Sequence, residues 1–203
     1  MKRLTILTAL LVIVVAAPPA YAAQTVTIAS FSFTPASLTA SLGDSITFNN
    51  TAAIGHTATS DGGFWDTGTI AGSGVGGGGG GYPTRSSTDV VFSASGTFAY
   101  HCAIHPSMTA VIVVPVTVAP AGPVIAGTEL TITFASEPAT GRTYEVQRRR
   151  GHRHWVTLAS GTGATSVTYA LGKEGRFRFR AAAIMNGWMS GWSPSVLAKV
   201  IAA

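Results

Sequence analysis

The sequence predicts an all-β protein built from two sandwiches, and three observations carry that expectation. Apolar residues alternate with polar ones in short runs, at Val26/Ile28, Ile46/Phe48, Val90/Phe92 and Phe98/Tyr100/Cys102, then at Leu130/Ile132/Phe134, Tyr144/Val146, Val167/Tyr169 and Phe177/Phe179. A two-residue period is the trace of a strand with one buried face. Turn residues separate the runs at intervals of roughly ten residues, the spacing of antiparallel sandwiches. Beyond the N-terminal segment no stretch sustains a 3.6-residue apolar period, so helices are expected to be minor.

The first 22 residues read as a signal peptide. Lys2 and Arg3 precede an apolar run from Leu4 to Ala17, and Ala20-Tyr21-Ala22 supplies the small residues of a cleavage site. The run is too short to span a bilayer. Cleavage near Ala22 is expected, giving a chain that works in the periplasm or outside the cell and has no membrane span.

Charge divides the rest of the chain. Between Ala23 and Pro120, Arg85 stands against Asp44, Asp61, Asp66 and Asp89, a net of −3, whereas Ala121 to Ala203 carries ten Lys or Arg against four Glu, a net of +6. The sign changes across a Pro-rich stretch between Val114 and Pro123. Residues 23–118 are therefore expected to be one domain, 119–123 a linker and 124–203 a second domain, each long enough for its own core. Gly76 to Gly81, inside the first domain, reads as a surface loop, because no helix follows to make it a phosphate cradle.

Composition excludes several classes. Only 10% of the 203 residues are charged and 46% are hydrophobic, which rules out charge-driven disorder. The single Cys rules out an internal disulfide, an iron–sulfur cluster and a Cys-rich zinc finger. No nucleic-acid interface is expected.

That Cys has company. In Tyr100-His101-Cys102-Ala103-Ile104-His105-Pro106-Ser107-Met108 the spacing C-x-x-H-x-x-M puts a thiolate, an imidazole and a thioether within one turn of chain. Soft sulfur with imidazole selects copper, and two His, one Cys and a weak axial Met make the blue-copper set. One His is then missing from the segment. His56 and His101 are the candidates in the first half, and alternation turns His101 to the face opposite Cys102.

These residues carry a family resemblance. From Ala23 to about Val118 the chain resembles a cupredoxin, a small type 1 copper protein, through Phe31-Ser32-Phe33-Thr34-Pro35, Leu42-Gly43-Asp44, the His56 segment, Gly96-Thr97-Phe98 and the ligand loop, whose spacing is similar to that of amicyanin and plastocyanin loops. The resemblance implies a Greek-key β-sandwich holding one copper ion through His56, Cys102, His105 and Met108. It implies a one-electron carrier, not an enzyme, whose redox partner docks near the exposed ring edge of His105, with Pro106 and Phe64 or Trp65 around it. A protein that holds or delivers copper without redox cycling is the alternative. A trinuclear oxidase cluster needs more His than the five present, and a binuclear purple site needs a second bridging Cys. Thr57 and Ile104 are the expected potential-tuning positions. Such loops have Pro two residues after the Cys; Ile104 keeps its backbone N–H, an expected second donor to the Cys102 sulfur that would raise the reduction potential.

The second half resembles a fibronectin type III domain through Tyr144-Glu145-Val146-Gln147-Arg148, Trp155, Phe177-Arg178-Phe179-Arg180-Ala181 and Gly191-Trp192-Ser193-Pro194. Trp188 to Ser193 approaches the W-S-x-W-S pattern of cytokine-receptor domains. Arg176, Arg178 and Arg180 are expected to form a cation–π ladder on the sheet surface, with a polyanion-binding patch as the alternative. Arg148, Arg149, Arg150 and Arg153 are expected in a solvated hairpin, with weak affinity for an anionic cell-surface polymer. His152 and His154, beside those Arg, are a poor second metal site.

Overall fold

The structure, a computed structural model, describes residues 23–72 and 86–202; the expected signal peptide and the Gly76–Gly81 loop lie outside them. Every regular element among the described residues is a strand. The first half holds β1 (Gln24–Ala29), β2 (Ser32–Thr34), β3 (Ser37–Thr39), β4 (Ser45–Asn50), β5 (Thr59–Ser60), β6 (Ser87–Val91), β7 (Gly96–His101) and β8 (Thr109–Val114). One sheet runs β2-β1-β4-β6 and the other β3-β8-β7-β5. The chain crosses repeatedly between them, so β1 pairs in parallel with β4, and β3 with β8.

Alternation produces the core. Val26 and Ile28 of β1, Ile46 and Phe48 of β4, and Phe98 and Tyr100 of β7 all point inward and are buried. Tyr100 sits between Phe33 at 4.7 Å and Phe48 at 5.6 Å, offset and edge-on as aromatic quadrupoles favour. Burial in this apolar cluster raises the Tyr100 phenol well above its ordinary range.

The second half holds β9 (Thr117–Ala119), β10 (Val124–Ile125), β11 (Glu129–Thr133), β12 (Arg142–Arg150), β13 (Val156–Thr162), β14 (Ser166–Ala170), β15 (Gly175–Met185), β16 (Trp188–Met189) and β17 (Val196–Ile201). Its sheets run β14-β11-β9 and β10-β17-β15-β12-β13, with β16 on β15. The boundary expected at 118/119 falls inside β9, whose residues pair with Thr131, Ile132 and Thr133 of β11. Thr117 to Ala119 thus pair into a sheet of the second half. Prolines mark the approach to it but do not exclude a short edge strand between them.

The halves share backbone hydrogen bonds. β5 covers only Tyr100 and His101 of β7. Further back along β7, Thr97 and Gly191 exchange N–H···O bonds, both 2.8 Å, and the Thr97 hydroxyl donates to the Trp192 carbonyl at 2.8 Å. A second seam joins Ser95 N–H to the Phe134 carbonyl and Ser136 N–H to the Ser93 carbonyl, with Arg142 donating to the Ser93 hydroxyl. Glycine makes the first seam possible: a Cβ on Gly191 would lie 2.9 Å from the Thr97 Cβ, and one on Gly96 would lie 2.6 Å from the Ser190 hydroxyl.

The same segment stitches itself to β15. Ser190 and Ser193 each donate their N–H to a β15 carbonyl, of Ala183 and Ala181, and their hydroxyls accept the N–H groups of those two residues. Trp192 then stacks on Arg180 at 4.3 Å, and Trp155 lies against the same guanidinium at 4.0 Å.

The ladder thus differs from expectation. Of the stripe Arg176, Arg178 and Arg180, Arg180 is the member that stacks, and Arg149 joins it by packing on Trp155 at 4.8 Å. Trp188 stays outside, 64% exposed. Arg148, Arg149 and Arg150 do lie in a hairpin, on the β12 arm of the antiparallel β12–β13 pair that turns at Gly151–His154, but they are half-buried rather than solvated. Arg148 packs over Tyr169 and Arg150 over Phe177, while Arg153 is the exposed member of the four.

Candidate metal centre

β7 delivers the sulfur. Cys102 follows the last residue of the strand on the face shared by Phe98 and Tyr100, and is fully buried. Beyond it the chain closes on itself: Cys102 N–H donates to the Met108 carbonyl, His105 N–H to the Cys102 carbonyl, and Met108 N–H to the His105 carbonyl. This tight double turn keeps the C-x-x-H-x-x-M spacing local and buries the Met108 side chain in the core.

His56 arrives from the segment between β4 and β5. Its backbone forms a reciprocal bridge with Ile70, at 3.1 and 2.7 Å. Asn50 anchors this bridge from β4: its amide donates to the Ile54 and Ile70 carbonyls, both at 2.9 Å, and its carbonyl accepts the Ala52 N–H at 3.0 Å. The sequence pattern alone did not single out Asn50. A signal was present, since Asn50 continues the inward series Ile46, Phe48, and an amide on an apolar face must find buried partners.

Three donor atoms converge. Cys102 Sγ lies 3.6 Å from the Nδ1 atoms of both His56 and His105, which are 3.1 Å from each other. The point equidistant from all three is about 2 Å from each, the length of a metal–imidazole bond. No other group of three or more His, Cys, Asp or Glu among the described residues is placed to hold an ion. Two imidazoles and a thiolate at these separations fit copper, and the buried Met108 beside them suits copper better than zinc, to which a thioether adds little. Burial, and then the neighbouring His105, lower the proton affinity of His56, with the Ser30 backbone opposing them. A lowered affinity keeps the ring neutral and its lone pair available.

The surroundings correct two expectations. Thr57 N–H donates to Cys102 Sγ at 3.3 Å, whereas no bond from the Ile104 N–H to that sulfur is present; Ile104 sits on the outside of the turn, 50% exposed. Phe64 and Trp65 are not beside His105, because Phe64 packs on Phe98 and Trp65 lies among Phe92, Phe98 and Tyr100. Phe31 takes that place, with its ring edge-on to His105 at 5.0 Å and to His56 at 6.0 Å while 61% exposed. His101 faces away, its Nδ1 2.6 Å from Asp61 Oδ1. His152 and His154 are exposed in their turn.

Comparisons bear on this half. Residues 20–117 match the model of a family described as copper binding proteins of the plastocyanin/azurin family. Among solved structures, the chain is similar to a point mutant of amicyanin in its reduced Cu(I) form, at 24% identity and a TM-score of 0.37, over 47% of this chain and 85% of that one. It is also similar to a purple cupredoxin from Nitrosopumilus maritimus, at 17% identity and a TM-score of 0.36, over 45% of this chain and 98% of that one. No curated protein matches the chain.

Proposed function

We propose that this protein is a one-electron carrier with a single type 1 copper centre, held by His56, Cys102 and His105 with Met108 as the weak axial ligand. The observation that carries the reading is the convergence of the Cys102 sulfur and two imidazole nitrogens within 3.6 Å of one another. Bound there, copper supplies one-electron exchange between its cuprous and cupric states.

The chain's own residues supply the rest. Cuprous and cupric ions favour different geometries, so ligands held rigidly between the two reduce rearrangement during transfer. The Asn50 bonds, the His56–Ile70 bridge and the closed 102–108 turn hold them in that way. Burial of Cys102 and His56 keeps water from the sulfur. Thr57 N–H withdraws electron density from the thiolate and so favours the reduced state. His105 is half-buried at the surface, ringed by the exposed side chains of Phe31, Ile104 and Pro106, a short apolar route for a docking redox protein.

We place the carrier outside the cytoplasm, on the strength of the Lys2-Arg3 start, the apolar run and Ala20-Tyr21-Ala22. The second sandwich reads as a fibronectin type III-like module that tethers the carrier to an anionic cell-surface polymer, supported by its net positive charge and sheet order. Film voltammetry with electron self-exchange measurements tests the carrier role. Reversible cycling with fast self-exchange is expected; slow exchange with copper(I) handed to an apo-acceptor would instead identify a delivery protein.

A further inference from the structure

We infer that the outward face of β12, β15 and β17 is a docking surface for a linear anionic polysaccharide. The inference rests on reading the second sandwich as a tether, and it names the surface that tether uses. Register places the charges. Arg176 is opposite Lys199, and Arg178 lies between Leu197 of β17 and Arg149 of β12. These residues alternate with Phe177 and Phe179, which face the core, so the cations share the outer face. Cross-strand neighbours stand about 5 Å apart and next-but-one residues about 7 Å apart, giving a grid of positive charge.

The cations of the grid form no ion pair among the described residues. Among the described residues the ion pair present is His101–Asp61, in the other half. Glu145, on the outer face of β12, is engaged by the Ser160 hydroxyl at 2.8 Å. Burial, and then neighbouring Arg149, lower Arg180's affinity for its proton, as packed like charges do. Arg176 and Lys199, both exposed, flank a hollow of about 340 Å³ with Glu174 at its rim.

Two arginines of the face, Arg149 and Arg180, are also ordered before any ligand arrives. Trp155 packs against both Arg149 and Arg180, and Gln147 fixes Arg180 through two bonds of 3.1 and 2.8 Å. Stacking occupies the guanidinium face and leaves edge N–H groups to meet carboxylates or sulfates. Trp155 and Trp192 each carry a guanidinium on the ring, which leaves less aromatic surface for stacking a nucleic-acid base. A flexible chain carrying an anion every sugar or two can lie along the face.

The test uses the whole copper-loaded protein on immobilised heparin and polygalacturonate. Arg176→Gln with Lys199→Gln, and separately Arg178→Gln, are expected to weaken binding roughly tenfold and to flatten its salt dependence, as fewer counterions are released. Arg178→Lys should retain most of the affinity, and all variants should keep the visible copper spectrum. Retention that survives these changes overturns the face and leaves the tether standing, as does a loss confined to Arg153→Gln. Equally tight binding to phosphatidylserine vesicles or to a DNA duplex at the same salt overturns the polysaccharide. No binding by the unaltered protein overturns face and tether together, with the copper reading intact.

Discussion

The backbone N–H of Thr57 donates to Cys102 Sγ at 3.3 Å, while the Thr57 hydroxyl accepts the Ala103 N–H at 2.7 Å. One residue, placed directly after His56, thus ties together the two segments that bring the ligands. Its two bonds are separable. Thr57→Val removes the hydroxyl and keeps the donor, so thermal stability should fall by about 1–2 kcal/mol with the potential nearly unchanged. Thr57→Pro removes the hydroxyl and the donor together, so its difference from Thr57→Val reports the donor, and His56, in a bridge with Ile70, tolerates a following proline. Its reduction potential should fall by an amount on the order of 50 mV, since roughly 59 mV corresponds to a tenfold change for one electron. Voltammetry of both variants checks the split.

Asn50 is expected to matter without touching a metal. Asn50→Ala removes the amide bonds to the Ile54 and Ile70 carbonyls and the acceptor of the Ala52 N–H, at a cost of about 2–3 kcal/mol. Calorimetry of the metal-free protein should show that loss, and copper titration should show weaker binding because His56 is no longer held.

Gly191→Val should open the junction between the halves. Its Cβ cannot sit 2.9 Å from the Thr97 Cβ, so the reciprocal Thr97–Gly191 bonds must part. Calorimetry should then resolve two melting transitions where the unaltered chain gives one. A single unshifted transition would show that the seam contributes nothing.

Alkaline pH should destabilise the fold. Burial raises the Tyr100 phenol above its ordinary range, and burial does the same to Tyr144. The folded state keeps these protons while the unfolded chain releases them near pH 10, so unfolding is increasingly favoured as pH rises past about 10 and is unaffected by these groups below about 9. Urea melts from below about pH 9 to well above about pH 10, followed by tyrosinate absorbance, should show ionisation of both phenols coinciding with unfolding.

Much of this was legible in the residues because it is local. Alternation at Val26/Ile28 or Phe177/Phe179 needs only a strand, and the Cys102, His105 and Met108 spacing needs only one turn of chain. His56 is remote from them and was assigned through family resemblance. What escaped depends on long-range placement. Phe31, rather than Phe64 or Trp65, covers the imidazoles, because the turn after β1 folds back over the loop while Trp65 is drawn into the aromatic core. Charge alone suggested solvated side chains at Arg148–Arg150 in their hairpin, yet Tyr169, Trp155 and Phe177 give those side chains rings to lie on. The Thr97–Gly191 seam leaves no sequence pattern beyond the glycines at 96 and 191.

The visible spectrum of the copper(II) form tests the central claim most directly. A thiolate bonded to copper(II) in this constrained set should give an intensely coloured protein with one copper per chain, and Cys102→Ser should abolish the colour. A colourless copper(II) protein, or a colour that persists in Cys102→Ser, would contradict the assignment.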